Sequence, residues 1–342
     1  MNLQDTLTAL SQAIGVSGAE EGAVAVAAAW LQPFCDRIDR DHNGNLIGWL
    51  DGPEDLPLIL LDAHLDEIGL IVTSITEGGF LKFAGCGGVD VRTLPASFVT
   101  VHTETGPLPG MISTLPPHLK EREGDKFPKL TDLAIDIGMP REEAERKVRP
   151  GDFISFDIAP GLLQNGRITG KSLDNRASVA CLLWVAERLH AAKPLPCRVA
   201  ILLSAQEEIR LRGATTAAYR IHPDRALVVD VSFAAAHGVP EEKCGTLGKG
   251  PMIGYSPVLN RELFRTLSSL AEKEDIPHQF EIMGGTTGTN ADALSLSREG
   301  VPTALLSIPE RNMHTPVEVV ELGDIEATAR LICAWILGGD LG

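Results

Sequence analysis

Two adjacent glutamates, Glu207 and Glu208, follow an apolar run that extends from Val199 to Leu203. Neighbouring side chains at the end of a strand point in different directions, so these two carboxylates can hardly share one proton as a carboxylate dyad does. The pair therefore indicates two separate roles for the two carboxylates. Those roles depend on the other residues of the chain that could do chemistry.

Histidine and carboxylate side chains occur at comparable positions in four other segments. These residues are His64 with Asp66, Asp174, Asp230 and His314. Each segment leaves a predicted strand at its carboxyl end or lies between a strand and a helix, and that edge of an open α/β sheet binds ligands. Taken singly, a histidine is more often structural than a metal ligand, and the carboxylates would be explained as a helix cap, a turn residue or surface charges. Their coincidence at one edge predicts a site.

The side chains collected at this edge have the composition of a two-metal centre. Two histidines and three carboxylates, with no cysteine ligand, suit two zinc ions that share one bridging carboxylate. Each ion would also bind one histidine and one terminal carboxylate. Co²⁺ and Mn²⁺ prefer similar ligands, so the identity of the metal stays open.

Such a centre explains the paired glutamates. Glu208 would point at a metal, while Glu207 would point at the water bound between the two ions. The pKa of a metal-bound water is lowered to about 7, and a base must still move its proton to the leaving amine. We therefore expect Glu207 to be the general base. Asp66 suits the acceptor that a metal-bound His64 needs on its other ring nitrogen.

The elements that must position these residues follow from the hydrophobic pattern. Apolar strands alternate with amphipathic helices in residues 1–69 and 161–342, which predicts an α/β catalytic domain with a mainly parallel sheet flanked by helices. Residues 70–160 contain short β-rich pieces between Gly and Pro turns, which is typical of a small inserted β module. The length of 342 residues also favours two domains.

The composition argues against several partners and locations. A net charge of −16 offers little to attract nucleic acid or an anionic membrane. The first residues do not have the pattern of a signal peptide, and no apolar run is long enough to span a bilayer. Six scattered cysteines favour reduced thiols, and hence a cytoplasmic location.

Six motifs occur in order along the chain: AHLDEIG, GKSLDNRA, SAQEEIRLRGA, VVDVSFA, TGTNADAL and MHTPVEVV. Together they resemble those of the tetrahedral (TET) aminopeptidases, cytoplasmic di-metal peptidases that include glutamyl and deblocking aminopeptidases and members with older endoglucanase names. The resemblance runs nearly end to end. It includes LPPHL and VRPGDFISFD, which look like the inserted β-barrel dimerisation domain of that family.

The resemblance implies which residue binds which ion. His64, Asp174 and Asp230 would hold one metal. Asp174, Glu208 and His314 would hold the other, with Asp174 as the bridge.

The resemblance also implies the remaining roles and the assembly. Glu207 would be the general base and Asp66 the partner of His64. The peptide bond after the bridging Asp174 would be cis, as in related di-zinc peptidases. Dimers would assemble into a hollow homo-oligomer, a dodecamer, that admits peptides and excludes folded proteins.

Four positions depart from the pattern of the family. Arg210 stands where a Gly is usual, and Asn290 replaces the usual acid of the Gly-Thr-Asp-Ala segment. Glu310 and Asn312 replace apolar residues and Tyr. None is a proposed ligand, so we expect the chemistry to survive and the substrate specificity to be affected.

The sequence thus predicts a metal-dependent aminopeptidase that removes N-terminal residues from peptides. A dipeptidase, carboxypeptidase or deacylase on the same scaffold is the first alternative. A glycosidase would use two carboxyls and leave the histidines without a role. A non-catalytic homologue would not need to keep every proposed ligand and the base. The preferred N-terminal residue, the native metal, and the balance of dimer and dodecamer stay open.

Overall fold

The structure is a computed structural model that describes residues 1–114, 127–339 and 341. The LPPHL segment assigned to the β module lies outside these residues. The helices are α1 (Leu3–Gln12), α2 (Glu21–Leu31), α3 (Arg141–Lys147), α4 (Leu173–Ala191), α5 (Arg212–Ile221), α6 (Arg261–Lys273), α7 (Asn290–Ser295) and α8 (Leu322–Gly338). No helix among the described residues is both long and apolar enough to cross a membrane.

The strands belong to a central sheet, a barrel and a small third sheet. The central strands are β1 (Arg37–Arg40), β2 (Leu46–Leu50), β3 (Leu58–His64), β12 (Arg198–Ser204), β13 (Arg225–Phe233), β14 (Met252–Tyr255), β15 (Gln279–Ile282) and β16 (Thr303–Glu310). The barrel strands are β4 (Gly69–Ile75), β5 (Leu81–Cys86), β6 (Phe98–Thr103), β7 (Gly106–Ser113), β8 (Ala134–Asp136) and β9 (Phe153–Phe156). The third sheet contains β10 (Gly161–Leu162), β11 (Arg167–Gly170) and β17 (Glu318–Glu321).

The central sheet has the order β1-β2-β12-β3-β13-β16-β14-β15. Its middle strands β12, β3, β13 and β16 run parallel to one another. Antiparallel pairs join β2 to β12 and β14 to β16. The predicted α/β fold with a mainly parallel sheet is confirmed.

The middle strands form because their residues can be buried on both faces. Along β3, Ile59 and Leu61 face one apolar layer, while Leu58 and Leu60 face the other. Helices α1, α2, α4, α6 and α8 contribute to the first layer, and α5 and α7 to the second. A continuous apolar run is what such a doubly covered strand requires. The polar residues that follow these strands therefore emerge together at the carboxyl edge of the sheet.

The inserted segment closes into a six-stranded barrel with the strand order β4-β5-β8-β7-β6-β9. Its interior is filled by aliphatic side chains such as Leu70, Val101, Ile112, Ile135 and Ile154. Closure leaves no free edge among the barrel strands that the structure describes. The exact domain limits, and a role of the barrel in dimerisation, stay predictions.

Candidate active site

The predicted site residues lie at the carboxyl edge of the parallel strands. His64 is the last residue of β3, Asp230 is the sixth of the nine residues of β13, and Asp174 is at the start of α4. Glu207 and Glu208 follow β12, and His314 lies between β16 and β17. The parallel register of β3, β12 and β13 brings the ends of these strands together.

Asp174 lies between the two histidines. Its Oδ1 is 3.1 Å from Nε2 of His64, and its Oδ2 is 3.4 Å from Nε2 of His314. Asp230 approaches His64 Nε2 at 3.8 Å, and Glu208 approaches His314 Nε2 at 3.4 Å. Two ligands of one tetrahedral zinc ion, with bonds of about 2.0–2.1 Å, lie roughly 3.3 Å apart. The spacing of these donors therefore fits two cations that share Asp174.

The charges of the site also fit cations. Burial raises the pKa of Glu207, Glu208 and Asp230 above the usual carboxyl range. Burial alone would lower the pKa of His64, but Glu207 and other neighbouring carboxylates outweigh it and raise that pKa well above its ordinary value. The hydrogen bond between His314 and Asp174 raises the pKa of His314 to about 10. These three carboxylates outnumber the two histidines, so the donor set is complementary to divalent metal ions.

The backbone at Asp174 is fixed by a residue that the sequence analysis did not assign. The Asp174–Asn175 peptide bond is cis, as the resemblance implies. Oε2 of Glu318 accepts the backbone N–H of Asp174 at 3.1 Å, and its Oε1 accepts the N–H of His314 at 3.1 Å. Glu318 therefore joins the bridging aspartate to one of the histidines. Its position in the MHTPVEVV motif was the only signal available in the sequence.

Asp66 contacts more of the site than His64, which is the one partner predicted for it. Its carboxylate accepts the backbone N–H groups of Glu207 at 2.9 Å and of Glu208 at 3.1 Å, and also the hydroxyl of Ser17. His64 Nδ1 lies 3.2 Å from the carbonyl oxygen of Asp66 and 3.5 Å from its carboxylate. Asp66 therefore orients the imidazole mainly through its backbone and the paired glutamates through its side chain.

The four departures from the family pattern lie in different surroundings. Asn290 is buried and donates from Nδ2 to Asp62 at 2.9 Å and to Ser204 at 2.8 Å, whereas Arg210 is exposed. Glu310 is buried beside Asp174, and within the described part of the chain neither of its carboxylate oxygens has a hydrogen-bond partner. Burial, with further repulsion from neighbouring carboxylates, raises the pKa of Glu310 well above its ordinary value.

Two cavities lie near this cluster. A cavity of about 770 Å³ lies between the β5–β6 connection of the barrel, at Asp90 and Thr93, and the segment of Glu310 and Asn312. A second cavity of about 380 Å³ begins at Ser232, two residues after Asp230. Both volumes are within the range of ligand pockets. Glu310 and Asn312 both line the first of these cavities, and their effect on substrate specificity stays a prediction.

The fold and the site are matched by a known family. The model that describes the M42 glutamyl aminopeptidases matches residues 44–331. The chain belongs to the M42 glutamyl aminopeptidase family. The resemblance drawn from the six motifs is confirmed, and this M42 chain is an aminopeptidase, which is a peptide hydrolase. The family and the carboxylate and histidine donors together indicate divalent metal ions, without their identity.

Individual M42 relatives cover nearly the whole chain. The lysyl aminopeptidase of Pyrococcus furiosus is 35% identical over 93% of this chain and 92% of its own. The structure of a TET aminopeptidase from Thaumarchaeota archaeon SCGC AB-539-E09 aligns with a TM-score of 0.93 at 32% identity, covering 98% of this chain and 96% of that one. The TET1 peptidase of Pyrococcus horikoshii aligns with a TM-score of 0.88 at 34% identity, covering 98% and 99%.

Proposed function

We propose that this aminopeptidase removes N-terminal residues from peptides with two divalent ions per subunit. Zinc is the first candidate, and cobalt or manganese are alternatives. His64, Asp174 and Asp230 would hold one ion, and Asp174, Glu208 and His314 the other. The observation that carries this proposal is that the two oxygens of Asp174 face two different histidines, at 3.1 Å and 3.4 Å.

Glu207 is the proposed general base. Its side chain is 11% exposed, and its Oε2 lies 4.0 Å from Nε2 of His64, so it borders the donor set and can still meet a water molecule. When bound, the ions would polarise the scissile carbonyl and lower the pKa of water. The Glu207 carboxylate would accept a proton from the attacking water and deliver it to the nitrogen of the leaving amine.

The neighbouring residues keep these groups in place. Asp66 would hold the backbone of Glu207 and Glu208, so that the two side chains leave the turn in different directions. Glu318 would hold Asp174 and His314 at their backbone N–H groups. Both are positioning residues, because neither would touch the substrate.

We also propose a homo-oligomer built from dimers, with the dodecamer as its expected form. The related Pyrococcus horikoshii TET1 peptidase is described as assembling into a tetrahedron or a large octahedral shell. In the barrel, Phe98 and Met111 are cross-strand partners with exposed fractions of 64% and 39%. An exposed apolar pair on a barrel favours the assignment of residues 70–160 as the dimerisation module, inserted between catalytic segments 1–69 and 161–342. The cytoplasmic location stays a prediction.

The matched variants Glu207→Gln and Glu208→Gln test the mechanism. Both are assayed with aminoacyl-p-nitroanilides after metal loading, together with chelated wild type. Bound metal is counted by elemental analysis. We expect Glu207→Gln to keep two ions per subunit and to lose activity by about 10²–10⁴-fold, the range that a general base contributes. Glu208→Gln should bind less metal.

Other results would contradict parts of the proposal. Undiminished activity of Glu207→Gln would remove its role as base. A wild-type protein that binds no divalent metal would overturn the proposed centre. Cleavage of blocked or C-terminal substrates alone would replace the aminopeptidase with another exo-hydrolase.

A further inference from the structure

We propose that the cavity beside Asp230 receives the side chain of the substrate's first residue, and that Glu281 makes this cavity select lysine or arginine. This inference rests on the proposed aminopeptidase mechanism, which places the substrate's N-terminus at the histidine and carboxylate cluster. It concerns only which side chain is accepted there.

Glu281 is anchored close to the proposed ligand Asp230. Its Oε1 accepts the hydroxyl of Ser232 at 2.5 Å, and its Oε2 accepts the hydroxyl of Ser307 at 2.7 Å. Ser307 is the register partner of Asp230 in the neighbouring parallel strand, and Ser232 follows Asp230 by two residues on the same face of its strand. Neighbouring strands lie about 4.8 Å apart and alternate residues about 6.6 Å apart. The carboxylate of Glu281 therefore lies about one long side chain away from Asp230.

The walls of the cavity suit a long side chain with a charged end. Its volume is about 380 Å³, and Phe233, Phe280 and Met283 provide apolar surface around Glu281. Lysine and arginine place methylene groups against apolar surface and keep their charged end at a polar partner. A short side chain would not reach Glu281.

The charge of the cavity favours a cation. Within the described part of the chain, the groups that hydrogen-bond to the carboxylate of Glu281 are two hydroxyls, which orient it without neutralising its charge. The other charged residues of the lining, Glu242 and Lys243, are exposed and opposite in sign. Glu281 therefore supplies the net negative charge of the lining. An acidic first residue would meet like charge.

The test compares Lys-, Arg-, Met- and Glu-p-nitroanilides as substrates of the metal-loaded wild type and of Glu281→Gln. Methionine is an unbranched, uncharged counterpart of lysine. We expect kcat/KM for Lys to exceed that for Met by about tenfold or more in the wild type, since a charge-assisted contact is lost with Met. Glu281→Gln should bring this ratio close to one. The exposed Glu241, adjacent to the cavity but outside its lining, provides the control variant Glu241→Gln, which should keep the ratio.

Each contrary result has a distinct meaning. A wild-type Lys-to-Met ratio near one overturns this inference even if Glu281→Gln does not fold. An unchanged ratio in Glu281→Gln, or an equal fall in Glu241→Gln, excludes a direct contact with Glu281. Cleavage of the anilides without a preference leaves the aminopeptidase mechanism intact, whereas a lack of cleavage of every anilide contradicts the proposed function itself.

Discussion

The backbone carbonyl of Gly88 accepts a hydrogen bond from Nδ1 of His314 at 2.9 Å, although 226 residues separate the two in the chain. Gly88 follows β5 of the barrel. With Nδ1 engaged, Nε2 is the nitrogen that faces Asp174 and Glu208. The barrel therefore helps to orient a side chain of the proposed metal centre.

Gly88→Ala should weaken the half of the proposed metal centre that contains His314. A Cβ at position 88 would lie 2.5 Å from His314 Nδ1, so the imidazole must move. Loss of such a supporting contact lowers metal affinity by about 10–100-fold. We expect metal content to fall from two ions towards one, measured by elemental analysis after dialysis against dilute metal.

Gly85→Ala is the matched control for this substitution. A Cβ at Gly85 would meet its nearest atoms at 3.8 Å, which is ordinary contact. This variant should keep both ions. Equal metal content in Gly88→Ala and Gly85→Ala would show that the contact from the barrel does not support the centre.

Asp66→Asn should lower both stability and activity. The carboxylate accepts two backbone N–H groups on different oxygens, at Glu207 and at Glu208. An amide can accept on one oxygen only, so its NH₂ group would face a backbone donor. We expect a loss of about 1–3 kcal/mol in the free energy of unfolding, measured by denaturant titration. The control variant Asp55→Asn, at an exposed position, should change neither the stability nor the activity. If Asp66→Asn also left both unchanged, the positioning role of Asp66 would be contradicted.

Removal of the metals should destabilise the protein more at alkaline than at acidic pH. Burial raises the pKa of Glu207 and Asp230 in the folded, metal-free protein. Because the fold therefore prefers these carboxyls protonated, it is more stable at low pH. That stabilisation is lost as the pH rises through the raised pKa values. Metal affinity also rises with pH, because the ligands must be deprotonated. The difference in melting temperature between loaded and chelated protein should therefore grow between about pH 5.5 and pH 8.5. A difference that shrinks would contradict this explanation.

Glu20 should make the wild type less stable at neutral and alkaline pH. Burial raises its pKa from 4.5 to about 7, although the Gly18 N–H donates to its carboxylate at 2.7 Å. The protonated Glu20 contributes its full stabilisation of the fold at pH values below the pKa that this carboxyl has in the unfolded chain. This stabilisation is lost as the pH rises through the folded-state pKa of about 7. Glu20→Gln keeps the acceptor and removes the charge. Its melting temperature should exceed that of the wild type more at about pH 8 than at about pH 5.5. The exposed neighbour, changed as Glu21→Gln, should show no such dependence on pH.

Contacts between distant segments could not be predicted from the sequence. Glu318 accepts the backbone N–H groups of Asp174 and His314, and the backbone carbonyl of Gly88 accepts a hydrogen bond from the ring of His314. Contacts that involve backbone atoms leave no mark in the pattern of residue types. The strands β14, β15 and β17 could not be predicted from the sequence either. Each has only four residues, which is too short for a hydrophobic period to stand out. The position of Glu281, which lies on β15, could therefore not be predicted.

The sequence by itself determined the α/β class, the parallel strands and the residue types at their carboxyl ends. Long apolar runs can be satisfied only by burial on both faces, and parallel strands bring their ends to one edge. Only the tertiary structure decided that the two oxygens of Asp174 face different histidines, that Asp66 holds the backbone of both glutamates, and that the barrel reaches His314. These relationships depend on distances between segments far apart in the chain, which are set by the packing of the layers.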